Sequence, residues 1–191
     1  MKLLRNLLGL NFSLLILCCV IFTSIIWAAA LLFPSAASGY PVRLNGRIVG
    51  YENIGQKFTL DKYFWGRPSA SDYNAASSSA SNMAPSNPYF LKVVQSRIDT
   101  FLVHNPGIKK SDIPVEMVTT SGSGLDPHIS PQGAMIQIRR ISHVRSIPEG
   151  KLRDLVAEYT ERPLLGLLGP ERINLLKLDI ALDRLQLSEK R

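Results

Sequence analysis

From Asn6 to Val42 no side chain carries a charge, and the densest part of this run, Phe12 to Phe33, reads FSLLILCCVIFTSIIWAAALLF. Wound as an α-helix at about 1.5 Å per residue it spans about 33 Å. The hydrocarbon core of a bilayer is about 30 Å thick, so the segment predicts a transmembrane helix with slight tilt. Trp27 and Phe33 lie towards its far end, and Tyr40 is placed to sit at the headgroups. A cleaved signal peptide shares the basic start, here Lys2 and Arg5, and Ala36-Ala37-Ser38 has the small residues of a cleavage site. Signal peptides use a shorter apolar region, of about 7–15 residues, so the length favours an uncleaved anchor.

Orientation follows from the flanks. Lys2 and Arg5 precede the span, and the next positive charge is Arg43. The positive-inside rule then predicts residues 1–11 in the cytoplasm, 12–33 in the membrane and 34–191 outside. Cys18 and Cys19 are the only cysteines and both lie in the apolar span, in keeping with export to an oxidising compartment. Their position excludes a disulfide framework and a four-ligand zinc site in the exported part. Charged residues make up 19% of the chain, below the roughly 25% of an average soluble domain, while 46% is apolar, so wholesale disorder is excluded.

The exported part reads as one small α+β domain. Asn45-Gly46 marks a hairpin between Pro41–Leu44 and Arg47–Tyr51. An aromatic stretch, Tyr63-Phe64-Trp65-Gly66-Arg67-Pro68, precedes a Ser-, Ala- and Asn-rich loop over Ser69–Asn87. Asn87-Pro88 starts a helix that ends near Asn105-Pro106-Gly107, with Leu91, Val94, Ile98 and Phe101 or Leu102 on one face. Pro114–Thr119 has the composition of a strand and ends in a turn, Ser121–Gly124. Ser130-Pro131 starts a second helix with Ala134, Met135, Ile138 and Ile141 facing inward. Pro148 starts a third with Leu152, Leu155, Val156 and Tyr159 inward, closed by Arg162-Pro163. Ile173–Leu185 alternates like a strand first and then suits a short helix.

Few residues carry a chemical signature. Ser121-Gly122-Ser123-Gly124 is followed by Leu125-Asp126, which lacks the Lys-Ser/Thr of a phosphate loop, and Pro127 replaces the third glycine of a dinucleotide fingerprint; a turn is the better reading. His104, His128 and His143 leave a hydrolase triad open in principle, but no Gly-x-Ser-x-Gly elbow occurs. Asp126-x-His128 supplies two metal ligands and no third nearby, and an Asp-Pro pair more often caps a turn. Arg139, Arg140, His143 and Arg145, with Lys151 and Arg153, form a basic cluster for an anion or acidic partner, against the plainer reading of a solvated helix face. Nucleic acid is not expected, because aromatics do not interleave with these charges.

The motifs together resemble the C-subunit family of the Kdp-type high-affinity potassium-transporting ATPases. Gly55-Gln56-Lys57-Phe58 with Tyr63–Ala70 is similar to its first signature, and Ser81-Asn82 with Ser86-Asn87-Pro88 to its second. Pro114–Thr119 through Ser121–Pro131 is the most specific block; Gln137, Arg140 and Arg145 follow at the family's spacing, and Asn174–Asp183 resembles its C-terminal stretch. Arg139 stands where the family commonly has a proline, which predicts that the helix runs through. The resemblance implies a non-catalytic membrane subunit with no cofactor of its own. Its implied partners are a channel-like pore subunit and a P-type subunit that hydrolyses ATP. The phosphorylated Asp-Lys-Thr-Gly-Thr motif is missing here, since Asp61-Lys62 runs into Tyr63.

Three functions follow as expectations. The leading one is a subunit needed for assembly and activity, whose helix packs on partner spans and whose exported domain covers the extracellular pore entrance. The second, also implied by the resemblance, is a catalytic chaperone that raises the ATP affinity of the hydrolysing subunit. There Gln137 contacts nucleotide, with Arg140 and Arg145 nearby. The third is a membrane-anchored envelope hydrolase using one of the histidines. The signature residues at both ends of Ser69–Asn87 further predict an ordered surface loop with a contact role.

Overall fold

The computed structural model describes residues 2–33, 38–163 and 165–189, which divide into two compact units, Met1–Val42 and Arg43–Arg191. The first is built on one long helix, α1: Lys2–Leu15 is α-helical, Ile16–Phe22 is π-wound and Thr23–Ala30 is α-helical again. These 29 residues are long and apolar enough to cross a membrane. At about 1.5 Å per residue α1 is longer than the roughly 30 Å hydrocarbon core of a bilayer, with Lys2 and Arg5 near its start. The helix begins upstream of Phe12, and Leu31-Leu32 already turn. Of the small residues read as a cleavage site, Ala36 and Ala37 lie outside the described residues, as does the boundary at position 34.

The hairpin forms as its Asn-Gly turn requires. β1 (Pro41–Leu44) pairs with β2 (Arg47–Tyr51), and Asn45 and Gly46 both take positive φ. The second sheet has three short strands. β5 (Arg172–Asn174) lies centrally, antiparallel to β3 (His128–Ile129) on one side and β4 (Thr160–Glu161) on the other. Its register sets Ile173 opposite both Ile129 and Thr160.

Among the described residues, five α-helices complete the larger unit. α2 (Pro88–His104) starts where Asn87 accepts a hydrogen bond from the Tyr89 amide and ends at Asn105. It buries Phe101 and half-buries Val94, Ile98 and Leu102, whereas Leu91 faces out. The helix expected after Ser130-Pro131 is two helices, α3 (Pro131–Met135) and α4 (Ile138–Arg145). The break falls at Ile136-Gln137, upstream of Arg139, so the absence of a proline there does not make the helix continuous. It leaves Met135 exposed while Ala134, Ile138 and Ile141 enter the core. α5 (Glu149–Glu158) buries Leu152, Leu155 and Val156, and Thr160 begins β4 before Arg162-Pro163 is reached. The ambiguous tail resolves into β5 and then α6 (Leu175–Glu189).

Pro114–Thr119 is not a strand. Val115–Met117 forms a 3-10 turn in which the Met117 amide donates to Pro114 O and the Val118 and Thr119 amides to Val115 O. Consecutive Met117 and Val118 are both buried while Val115 faces solvent, a pattern that a turn satisfies and strand alternation does not.

The Ser-rich stretch is held in place by the glycine turn. Ser69 Oγ donates to Gly124 O (2.6 Å), Ser78 Oγ to Ser123 O (2.8 Å) and the Ser79 amide to the same carbonyl (3.0 Å). Gly124 has φ +69°, and a Cβ there would lie 2.7 Å from Ser71 Oγ and Ser79 O. Gly55 meets the other flank: its amide donates to Leu125 O, and a Cβ would lie 2.6 Å from Asp126 O. The turn reading of 121–124 therefore holds, and the turn serves as a docking strip for two signature segments.

The core of the larger unit joins α4, α5, β5 and α6 around Ile141, Leu152, Ile173, Leu178 and Leu182, with Phe64 from the aromatic stretch inserted whole. Leu178 is fully buried in the first turn of α6. Leu178→Ala is expected to lower unfolding stability by about 2–5 kcal/mol, read as a reduced urea midpoint for the full chain in detergent.

Candidate functional site

The residues carried by the resemblance converge on one segment, Asp61–Trp65. It is irregular backbone lying against the core, so its N–H and C=O groups need partners that no helix or sheet supplies. Buried polar side chains supply them. Gln137 sits in the break between α3 and α4 and is fully buried. Its Oε1 accepts from the Trp65 amide (2.7 Å) and from Arg140 Nη2 (2.6 Å), and its Nε2 donates to Trp65 O (3.1 Å) and Gly133 O (2.9 Å). Two acceptor positions and two donors are the whole capacity of a primary amide. All four are used within the chain.

Arg140, one helical turn on, is equally committed. Nε donates to Asn105 Oδ1 (3.0 Å), and Nη1 donates to Tyr63 O (3.0 Å) and Asp61 O. Its guanidinium carbon lies 4.7 Å from the centre of the Trp65 ring. Burial pulls its pKa down to about 10, partly offset by the charges of Asp61 and Asp179, so it stays cationic at neutral pH. Arg145 repeats the arrangement at the end of α4. Nε donates to Lys62 O (2.6 Å), Nη1 bonds Gln186 Oε1 (2.8 Å) and Asp183 Oδ1 (2.7 Å), and the guanidinium stacks 4.8 Å from the Tyr63 ring. Carbonyls 61, 62 and 63 thus each face a buried arginine, and Trp65 is held at both its N–H and its C=O.

Two further residues belong to this frame and were missed by motif reading. Asp179 Oδ1 accepts from the Phe64 amide (3.0 Å), and Asn105 carries Arg140. Asp179 lies four residues after Leu175 and beside Leu178 and Leu182 on the buried face of α6; a lone carboxylate on an apolar stripe is the signal that would have found it. Burial pushes its pKa well above the usual carboxylate range, against the lowering effects of the Phe64 hydrogen bond and of Arg145 and Arg140.

The expected basic patch does not form one surface. Arg140 and Arg145 point inward, Arg153 pairs with Glu149 (2.7 Å), and of the basic residues expected in the patch Arg139 and His143 are the α4 members that are exposed. The reason is tertiary: the unpaired carbonyls of the 61–65 segment draw in cations that charge pattern alone places in solvent. The histidines are dispersed as well. His104, at the end of α2, pairs with Asp61 (2.8 Å) and stacks on Trp65 (4.8 Å between ring centres); His128 lies beside Asp126 (3.4 Å); His143 is exposed on α4.

Asp126 acts as the turn cap its Asp-Pro pair suggests. Oδ1 accepts from the His128 amide (3.0 Å) and Oδ2 from Arg67 (2.8 Å). Burial alone would raise its pKa; hydrogen bonds from the His128 side chain and amide and from Arg67, with the Arg67 charge, hold it down to about 2. No group of three or more His, Cys, Asp or Glu suited to a metal ion occurs among the described residues. The outer face of the clamped segment borders a cavity of about 380 Å³ lined by Phe58, Trp65, Gly66, Phe101, His104 and Met117, among others.

Gln137→Leu removes four hydrogen bonds and strands both Trp65 backbone groups. It is expected to cost about 2–4 kcal/mol, with a change in the emission of Trp65 and a lowered urea midpoint as readouts. Asp179→Asn keeps the acceptor for Phe64 but cannot ionise. Because the folded-state pKa of Asp179 is raised above its unfolded value, the native chain loses stability as pH rises from the acid range. The variant is expected to match the parent near pH 4 and to be the more stable of the two at pH 8, checked by urea titrations at both.

Comparison with known proteins places this frame in a family. The family model described as K+-transporting ATPase, c chain (KdpC) matches residues 4–184. The potassium-transporting ATPase KdpC subunit of Flavobacterium johnsoniae is 52% identical over 186 residues, covering 97% of this chain and all of the relative. That of Bacteroides thetaiotaomicron is 47% identical over 86% of this chain and 88% of its own, and that of Caldanaerobacter subterraneus 49% identical over 81% and 80%. With a match that runs from the apolar helix through the buried arginines to α6, the chain belongs to the KdpC family of potassium-transporting ATPase subunits.

Proposed function

We propose that this chain is the non-catalytic subunit that assembles and sustains an ATP-driven potassium uptake pump. It is anchored in the plasma membrane by α1, with its N-terminus in the cytoplasm and the domain of residues 34–191 outside. Its partners are a channel-like pore subunit and a P-type subunit that hydrolyses ATP. The family match supports the setting, and the charges Lys2 and Arg5 before the apolar run support the orientation.

The observation that carries an assembly role over chemistry is the saturation of Gln137. Its amide spends all four hydrogen bonds on Trp65, Gly133 and Arg140, and the contacts of Arg140 and Arg145 go to the carbonyls of residues 61, 62 and 63 and to the side chains of Asn105, Gln137, Asp183 and Gln186. A residue that contacts nucleotide needs a polar group free to reach it. In this reading the frame shapes a docking surface from the aromatic segment and the Ser69–Asn87 loop, and the domain covers the extracellular entrance of the pore.

The test is potassium uptake by the reconstituted pump. A chain cut back to α1 and its flanks is expected to abolish uptake, while the intact chain co-purifies with a multi-span subunit and a subunit bearing Asp-Lys-Thr-Gly-Thr. Full uptake by the bare helix overturns the proposal. Saturable ATP binding by the intact chain alone, lost in Gln137→Leu while the fold is retained, would instead favour the chaperone reading.

A further inference from the structure

The segment between β4 and β5 reads Pro163-Leu164-Leu165-Gly166-Leu167-Leu168-Gly169-Pro170. Leu165 is 85% exposed, Leu167 86% and Leu168 62%. The conformation that exposes them is held by a turn: the Gly166 amide donates to Pro163 O (2.9 Å), and Leu165 (φ +56°), Gly166 (φ +74°) and Gly169 (φ +94°) all lie in the left-handed region. For Leu165 that backbone is unfavourable. Nothing in the core mentioned above uses these side chains. A cluster of largely exposed leucines on a small domain signals something that covers it.

We propose that this loop inserts Leu165, Leu167 and Leu168 into the lipid surface to which the chain is already tethered. Three observations select lipid as the occupant. The first is reach. Only residues 31–40 separate the end of α1 from β1, so the fully extended connection spans at most about 35 Å, and the domain stays within a few tens of ångströms of the bilayer. The second is charge. Arg162 and Arg172 stand at the foot of the loop, and beyond Val42 the chain carries twenty of its 22 Lys and Arg against all 15 Asp and Glu. Glu161, paired with Arg172 (2.9 Å), Glu171, Glu116 and Asp126 are the carboxylates that line the same cavity beside them, with Arg67 as a third cation there. A basic body is drawn to anionic headgroups within a Debye length. The third is shape. The leucines sit on a protruding turn tip with cations behind it, the arrangement of an interfacial anchor: apolar groups reach the acyl boundary and arginines stay at the phosphates.

The inference rests on α1 being the membrane anchor and not on the role in the pump. It is tested with the full chain in vesicles of phosphatidylcholine with one quarter phosphatidylglycerol. Cys18 and Cys19 are replaced by alanine, and a nitroxide spin label is placed at Leu167→Cys or, as a reference, at Val115→Cys, which is also exposed. The expected result is that the label at 167 is reached by oxygen and shielded from an aqueous nickel reagent, while the label at 115 is open to the reagent. A Leu165→Asp substitution beside the label is expected to return position 167 to water. Equal exposure of 167 and 115 to the nickel reagent overturns the proposal. So does shielding of 167 that appears only when the other pump subunits are present, which would assign the loop to a protein partner. A chain that does not float with the vesicles overturns the anchor reading and the loop proposal together.

Discussion

A buried cation held mostly by neutral oxygens, with the Asp61 carboxylate 4.0 Å away, organises this domain. Arg140 has surrendered its hydration to lie under Trp65, and it faces Asn105 Oδ1, Gln137 Oε1 and the carbonyls of Asp61 and Tyr63. Transfer of a guanidinium out of water is costly unless its donors are met, and it is partner groups, not a single counter-ion, that meet them here. Each contact fixes a different element: Asn105 the end of α2, Gln137 the break between α3 and α4, and Asp61 and Tyr63 the irregular segment. Displacing any one of them strands part of the charge.

The same logic explains why a stretch without regular secondary structure can lie against the core. A strand or helix satisfies its own backbone; the 61–65 segment does not, and a buried unpaired carbonyl or amide costs about as much as a lost hydrogen bond. Arg140, Arg145, Gln137 and Asp179 stand in for the missing ladder. The result is a short aromatic segment whose Phe64 is sealed in the core while Trp65 borders the surface cavity beside His104. The frame thereby gives an irregular segment the backbone partners that a helix or strand supplies to itself.

Much of the fold was legible because its signals are local. The apolar run, the Asn-Gly hairpin, the Asn87-Pro88 and Pro148 helix starts and the Asp126-Pro127 turn each depend on residues within a few positions of one another. The misreadings fall where a distant contact decides. Pro114–Thr119 has strand composition, yet it pairs with no strand among the described residues and the chain turns to bury Met117 and Val118 together. The helix after Ser130 breaks at Gln137 because that side chain is needed at Trp65, 72 residues away. Arg140 and Arg145 look like half of a surface patch in the sequence. Their burial depends on carbonyls some eighty positions earlier, at 62 and 63.

The sequence by itself determined that one segment suits a bilayer, that the rest makes one α+β body, and which blocks resemble which family. These are matters of hydrophobic length, periodicity and motif, which are written along the chain. Only the tertiary structure decided what the family's polar residues do. Gln137 carries a carboxamide in either setting, and its four hydrogen bonds are assigned by the geometry that folding creates around it. Whether a polar side chain faces water, a ligand or the chain's own backbone is a three-dimensional question, because the groups that compete for it come from segments far apart in sequence.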